Sequence, residues 1–352
     1  MSGRKITIYD IAKEAGVSAS QVSRAISGNG YVSEENKEII MGLVEKYNYR
    51  PSAVARNLKK GRSSSIGFLI PHVYQEYFPY LYQKFEHEMT AKGYITIVCN
   101  GRSWCDNEIR NLQLLEDLRV DAAVIMGGTL DQINWEAYTD YIQAVKNLNS
   151  KIPCVLGTER AAELDCPGVY VDACDCVDEM MAYLAGAGYR KMGIMGGVGS
   201  VYPSVRLKAL FREAAERHGL EIRPQWVVNS SYNSMDGAEA MKQLLQQKEL
   251  PEVVCCVNDE VAVGAMGVAL DAGMKIPGDM AFTGYGGVWL GREFRPQLTT
   301  IQFDFETMGR ILAETVLGVL NGSGEKRVIP VAPWLEIRES TGGERKQPIA
   351  GR

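Results

Sequence analysis

The amino-acid sequence predicts a small all-α head followed by an α/β body built of two doubly wound, parallel-sheet lobes. Three observations carry this. The first fifty residues contain three amphipathic stretches at helical spacing, each opened by a hydroxyl side chain. From residue 65 onward, short apolar runs of strand length alternate with amphipathic helical patterns, the signature of parallel sheets covered on both faces. The charge divides along the same line: residues 1–62 hold eleven Lys/Arg against six Asp/Glu, and the rest of the chain holds 27 against 37. A basic head on an acidic body suits a head that meets a polyanion and a body that does not.

Composition removes other classes. A chain of 352 residues, 46% hydrophobic and 23% charged, is ordinary globular material with room for two or three domains, neither fibrous nor disordered. The longest uncharged apolar stretches, such as 261–270, are about half the ~20 residues a spanning helix needs, so no membrane partner is expected. The first ten residues lack an apolar h-region, which points to a cytoplasmic location. None of the eight cysteines forms a C-x-x-C pair, and no histidine lies at zinc spacing from them. Most sit in apolar runs and read as buried thiols, with Cys174-Asp-Cys176 the awkward exception. No metal or cofactor is expected.

In the head, Thr7-Ile-Tyr-Asp10 has the form of a capping box, followed by Ile8, Ile11, Ala12 and Ala15 at helical spacing. Gly16 stops that helix and Val17 can fill the corner. Ser18-Ala-Ser-Gln21 is a second box, opening a helix with Val22, Ala25 and Ile26 on one face and ended by Gly28 and Gly30. Ser33 caps a third helix carrying Ile39, Ile40, Leu43, Val44 and Tyr47. Two short helices joined by a Gly-containing turn, with a third in support, form a helix-turn-helix. The small or polar Ala19, Ser20 and Gln21 let the second helix approach a groove floor, with Ser23 and Arg24 on the outward side. Arg24 can donate two hydrogen bonds to a guanine edge. Residues 52–58 can form about two helical turns, marginal alone in water.

Residues 7–28, Thr-Ile-Tyr-Asp-Ile-Ala-Lys-Glu-Ala-Gly-Val-Ser-Ala-Ser-Gln-Val-Ser-Arg-Ala-Ile-Ser-Gly, resemble the headpiece of the lactose-repressor/galactose-repressor (LacI/GalR) family. The likeness continues through Tyr47-Asn-Tyr-Arg-Pro-Ser-Ala-Val-Ala-Arg-Asn-Leu-Lys59 and, with the later motifs, spans essentially the whole chain. It implies a transcriptional regulator, most simply a repressor, that contacts double-stranded operator DNA through Thr7, Ser18, Ala19, Ser20, Gln21, Ser23, Arg24, Ser27, Ser33 and Tyr49. It also implies a hinge helix from each subunit of a homodimer, with Ser52, Ala55, Arg56 and Lys59 at the DNA and Leu58 wedged into the minor groove. Ser52 stands where the family often has Asn.

For the body the resemblance implies a periplasmic-binding-protein-like core with a small-molecule effector between its lobes. The implied domains are a headpiece at 1–49, a hinge at 50–62, a core at 63–340 and a polar tail at 341–352. The first lobe would take about 63–163 and 293–323, and the second about 164–292 and 324–340, with crossovers near 161–166, 289–294 and 322–327. The tail has no leucine heptads, which favours a dimer over a coiled-coil tetramer.

Ligands in such sheets bind beyond the carboxyl ends of strands, which selects His72, Tyr74, Tyr77, Phe78, Glu159, Arg206, Asn258 and Gly286, with Tyr232 on a nearby loop. Aromatic faces with an Arg and an Asn suit a sugar or sugar derivative. Arg206-Leu-Lys-Ala-Leu and Asn258-Asp-Glu resemble the family's effector-holding Arg and Asn motifs, with Asp259 read as a helix cap, and Tyr232 matches an aromatic contact. The stretch Phe282-Thr-Gly-Tyr-Gly-Gly287 departs from the family, which has two acidic residues where this chain has Gly286 and Gly287. That departure disfavours a simple neutral hexose, makes room for a bulkier or anionic effector, and leaves Trp289 to stack on a ring instead.

Catalysis is not expected. The glycine-rich run 192–199 does not give G-x-G-x-x-G, and no P-loop, G-x-S-x-G or H-E-x-x-H sequence occurs. His72, His87 and His218 are scattered. The rival readings are a solute-binding protein and a sugar-metabolising enzyme with a regulatory DNA-binding head.

Overall fold

A computed structural model describes residues 6–28, 30–49, 63–323 and 326–343. Its contacts divide the chain into two units, 1–63 and 64–352. The hinge candidates Ser52, Ala55, Arg56, Leu58 and Lys59 lie outside the described residues.

The head is three helices, α1 (Ile8–Glu14), α2 (Ala19–Ser27) and α3 (Glu34–Lys46). Both capping boxes close reciprocally. Thr7 Oγ1 accepts from the Asp10 N–H while the Thr7 N–H donates to the Asp10 carboxylate, and Ser18 and Gln21 repeat the exchange. These satisfy backbone donors that a helix N-terminus otherwise leaves open. Gly28, at φ +70°, ends α2 in a left-handed turn. Ile11, Ala12, Val22, Ala25 and Ile40 are buried together, with Val17, Ile26, Leu43 and Val44 packed around them. Ile39 departs from the expected face: it is 45% exposed, because the helical period that aims Ile40, Leu43 and Val44 inward turns its neighbour out. Tyr47 is likewise no core residue. Its hydroxyl donates to Glu14 Oε2 at 2.8 Å, beside the Lys46 Nζ–Glu14 Oε1 pair at 2.8 Å, and so ties α3 to α1.

The body begins with β1 (Ser65–Ile70), α4 (Tyr77–Ala91), β2 (Ile95–Asn100), α5 (Cys105–Asp117), β3 (Ala122–Ile125), α6 (Thr139–Lys151), β4 (Cys154–Leu156) and β5 (Gly168–Val171). There follow α7 (Cys174–Gly186), β6 (Met192–Met195), α8 (Tyr202–Arg217), β7 (Val227–Val228), α9 (Ser234–Leu244), β8 (Val253–Cys256) and α10 (Asp259–Asp271). The chain closes with β9 (Ala281–Gly286), α11 (Trp289–Glu293), β10 (Thr299–Gln302), α12 (Phe305–Leu320), β11 (Val328–Val331) and β12 (Trp334–Glu336). Two six-stranded sheets result, ordered β11-β5-β4-β3-β1-β2 and β12-β10-β9-β8-β6-β7. Every pairing is parallel except β12 on β10. The two doubly wound lobes of the sequence reading are present, and the central strands β1, β3, β6 and β8 are buried along their whole length.

The lobe boundaries differ from the expected ones. Strands β5 and β11, assigned from sequence to the second lobe, pair with each other in the first sheet, Val328 opposite Gly168. The chain therefore changes lobes at 172–173, 303–304 and 332–333, rather than near 161–166, 289–294 and 322–327. The reason is physical: a four-residue apolar strand carries no local mark of which sheet it joins, and β11 finds its partner β5 about 160 residues back along the chain. The close approach of α9 to α10 in the second lobe depends on Gly237 and Gly264, where an added Cβ would meet the backbone of Val261 and Ser234.

Candidate functional site

The head presents its candidate DNA-contacting residues in different states. Thr7, Ser18, Ser20, Arg24 and Ser27 are exposed, while Ala19, Gln21, Ser23, Ser33 and Tyr49 are half-buried. The caps already engage several of them. Gln21 Oε1 accepts from the Ser18 N–H at 3.1 Å, which leaves its amide nitrogen to donate, and Ser33 Oγ accepts from the Asn36 N–H at 3.4 Å. Arg24 lies back along α2, its Nε donating to the Ser20 carbonyl at 3.3 Å, next to Gly30. Burial raises the Tyr49 phenol, whose ring packs against the head core.

In the body a cavity of about 480 Å³ opens between the lobes at the carboxyl ends of both sheets. Each wall is made by the loop that follows a strand, as expected where parallel sheets face each other across a crevice. The first lobe contributes His72, Tyr74, Tyr77 and Phe78 after β1, Asp131 after β3 and Glu159 after β4. The second contributes Tyr202 and Arg206 from α8, Tyr232 after β7, Asn258 to Glu260 after β8, and Tyr285 and Gly286 from β9. Phe303, at a crossover between lobes, stands edge-on to both Tyr77 and Tyr285, with ring centroids 5.8 Å and 4.7 Å away.

Of the sequence candidates, Tyr74, Tyr77, Phe78, Glu159, Arg206, Tyr232, Asn258 and Gly286 line this cavity. Trp289 does not: it is 56% exposed, and its backbone N–H donates to Tyr80 Oη at 3.0 Å across the lobes. It begins α11, whose short turn carries the indole away from the crevice. Arg206 is paired across the cleft, Nη1 donating to Glu159 Oε2 and Nη2 reaching Cys174 Sγ at 3.7 Å. Asn258 faces the cavity but is committed. Its Nδ2 donates to the Tyr232 carbonyl at 2.7 Å and to Glu260 Oε2 at 3.1 Å, and its Oδ1 accepts from the Val261 N–H. Asn258 is thus the cap of α10. Asp259, expected in that role, instead binds the Val288 N–H at 2.7 Å and the Thr300 hydroxyl at 2.6 Å. Tyr232 is positioned by its hydroxyl contact with Ser204 at 2.6 Å.

The glycines at 286 and 287 have a structural cause. Gly287 sits at φ +73°, and the side-chain amide of Gln302 fills the space a Cβ would need, donating to the Gly287 carbonyl at 3.0 Å. Acidity enters the cleft from elsewhere. Burial pushes Asp131 up to about 7, with the Arg160 guanidinium pulling the other way and Glu108 adding to the rise. Glu260 also rises to about 7 and Asp259 to about 6, both through burial. Burial lowers His72, which favours its neutral form. Sequence reasoning missed Asp131, Tyr202 and Tyr285, although the rule that selected Glu159 also covers Asp131, six residues beyond β3.

The lobes touch at several points around the crevice. The Ile133 N–H donates to the Ser200 carbonyl at 2.9 Å, and the Glu76 N–H donates to Glu260 Oε1 at 3.2 Å. Arg160 holds the carbonyls of Leu130 and Gln132 and lies 4.0 Å over the Tyr202 ring. Behind the second-lobe wall, the buried Lys208 ammonium clamps the Gly196 and Gly197 carbonyls at 3.0 and 3.1 Å. Burial raises every one of the eight thiols, so none is primed as a thiolate nucleophile. Among the described residues no group of His, Cys, Asp and Glu is placed to hold a metal, and no helix is long and apolar enough to cross a membrane.

A helix-turn-helix unit and a two-lobed body with a ligand-sized crevice define a transcription regulator by build. A family model for bacterial regulatory proteins of the lacI family matches residues 7–52, and one for the periplasmic binding protein-like domain matches 181–341. The HTH-type transcriptional repressor PurR of Serratia proteamaculans (strain 568) is 32% identical over 342 residues, covering 95% of this chain and 96% of the relative. The PurR repressor of Haemophilus influenzae (strain PittEE) is 31% identical, covering 95% and 98%. Among solved structures, the lac repressor dimer bound to operator and the anti-inducer ONPF has the same fold, with a TM-score of 0.85 at 22% identity, covering 96% of this chain and 99% of that one. The CelR–cellobiose complex matches at 0.67 and 20%, covering 95% and 99%. The chain belongs to the lacI family: it is a DNA-binding transcriptional repressor and not an enzyme.

Proposed function

We propose that the protein is a homodimer whose grip on a pseudo-palindromic operator is switched by a small, ring-bearing effector in the interlobe cleft. The observation that carries this is the cleft itself: its walls come from both lobes, and Arg206–Glu159 spans them, so a ligand that prefers one lobe angle shifts the equilibrium between two states. Ring stacking fits the aromatic walls, and one solved structure of the same fold, the CelR–cellobiose complex, holds a sugar. Exposed apolar side chains on the first lobe support a second copy as partner: Ile95 and Val98 on the edge strand β2, Trp104 beside α5, and Leu114 and Leu118 along and after that helix.

In this reading residues 1–49 read the major groove, with Ser18 to Gln21, Ser23 and Arg24 at the base edges and Thr7, Ser27, Ser33 and Tyr49 at the backbone. Residues 50–62 form the hinge, with Leu58 in the minor groove and Ser52, Ala55, Arg56 and Lys59 beside it. Selecting duplexes from a random pool with the full chain, then measuring anisotropy against salt, tests it. A sequence-selective duplex is expected, bound with a steep salt slope, and Arg24→Ala should lose about 1–3 kcal/mol of base discrimination. Equal affinity for selected and random duplexes refutes the reading.

A further inference from the structure

The charge of the cleft narrows the effector further. Its charged lining is Asp131, Glu159, Asp259 and Glu260 against the single guanidinium of Arg206. Arg206 is already neutralised by Glu159, so it offers no unspent positive charge to an anion. The N-terminus of α10, one of those at the crevice, is also spent: Asn258 caps it, and Asp259 and Glu260 occupy its first turn. An anionic effector would face this surplus of carboxylates in a low-dielectric crevice. The sequence-based expectation that the missing acids at 286 and 287 admit an anion does not fit such a wall.

Three of the four carboxylates have work to do: Glu159 with Arg206, Asp259 with Thr300 and Val288, and Glu260 with the Glu76 N–H and Asn258. The Asp131 carboxylate makes no hydrogen bond or ion pair among the described residues, although it lines the cavity. It shares the cavity lining with Tyr77 and Phe78 of the first lobe and with Tyr202 and Tyr232 of the second, and its Oδ2 and the Phe78 ring both close on Gly127. A carboxylate without a hydrogen-bond partner in a cleft lined by phenol and phenyl rings is a receptor for an ammonium or a protonated ring nitrogen, because the carboxylate supplies the counter-charge and the ring faces attract the cation.

We propose that the effector is a cation: a ring compound whose protonated nitrogen seats against Asp131 between the aromatic walls of the cleft. This rests on the cleft being the effector site. Benzylammonium, benzyl alcohol and benzoate share one ring and differ in the charge of the head group, so they isolate the claim without knowledge of the natural effector. Titrated calorimetrically into the full chain at about pH 8, benzylammonium is expected to bind about tenfold more tightly than benzyl alcohol, with benzoate weakest. Asp131→Asn should erase the gap between benzylammonium and benzyl alcohol.

A readout on the unaltered protein guards against a misfolded variant. The advantage of benzylammonium over benzyl alcohol should shrink as the pH falls from about 8 to about 6, where Asp131 takes up a proton. The charged groups acting on Asp131 are the Arg160 guanidinium and Glu108, whose own carboxyl is raised by burial; across the cleft Glu260 titrates near the same pH. Equal binding of the ammonium and the alcohol, or tightest binding of benzoate, overturns the cationic effector and leaves the cleft as a ring-binding site. Failure of all three to bind overturns the cleft reading beneath it.

Discussion

The head and the body are held by different kinds of interaction. Among its described residues the head buries five apolar side chains and leans on local devices: two reciprocal capping boxes, a left-handed Gly28, and the Glu14–Lys46–Tyr47 cluster. The body has two six-stranded sheets and a cleft in which Arg206–Glu159, Asp259–Thr300 and Tyr232–Ser204 join residues far apart along the chain. A unit built on near neighbours can be read, and broken, one residue at a time. A unit built on distant ones fails only where elements meet.

The sharpest way to break the comparison is Ile40→Ala. Losing one of five buried head residues should cost about 3 kcal/mol, enough to melt so small a core, while the body transition in calorimetry stays put. Coincident loss of both transitions would show that the units do not fold independently. Next comes Gly264→Ala, whose new methyl meets the Ser234 backbone at the α9–α10 crossing. It should destabilise the body by about 2 kcal/mol in urea melts and leave the head's transition untouched. Ser18→Ala removes one cap and should cost the head about 1 kcal/mol, with Ser18→Thr largely restoring it.

The smallest contrast is in pH dependence, where the two units should slope in opposite directions. Burial raises Asp131, Glu260 and Asp259 to about 7, 7 and 6, so the folded body binds more protons than the unfolded chain between about pH 4 and those values. Their contribution is therefore full in acid and is lost as the pH rises toward 7. In the head, hydrogen bonds from Lys46 and Tyr47 lower Glu14, so its contribution is present at neutral pH and lost as the pH falls through the folded value. Melting temperatures of the two transitions between pH 4 and pH 8 check the signs; parallel slopes would refute the assignment of these carboxyls.

How much was legible follows the same division. Thr7, Ser18 and Ser33 announced three helix starts because a cap and its partner lie three residues apart. The strand-end rule found Tyr77, Glu159, Arg206 and Tyr232 because a strand and the loop after it are contiguous. It did not reveal that Arg206 would be spent on Glu159 or that Trp289 would leave the crevice, outcomes that depend on neighbours supplied by other elements. The Asn258 cap is local, three residues from Val261, but the sequence reading gives it to Asp259 instead.

By itself, the order of residues determined the helix-turn-helix, the alternation of strands and helices, and the family they announce. Such features depend on spacings of two to four residues, within which caps and amphipathic faces are set. Only the tertiary structure decided which sheet takes β5 and β11, that Gln302 fills the place of an acid at 287, and that Asp131 joins the aromatic lining of the cleft. Burial and pairing are properties of surroundings, and surroundings exist only once distant segments have met.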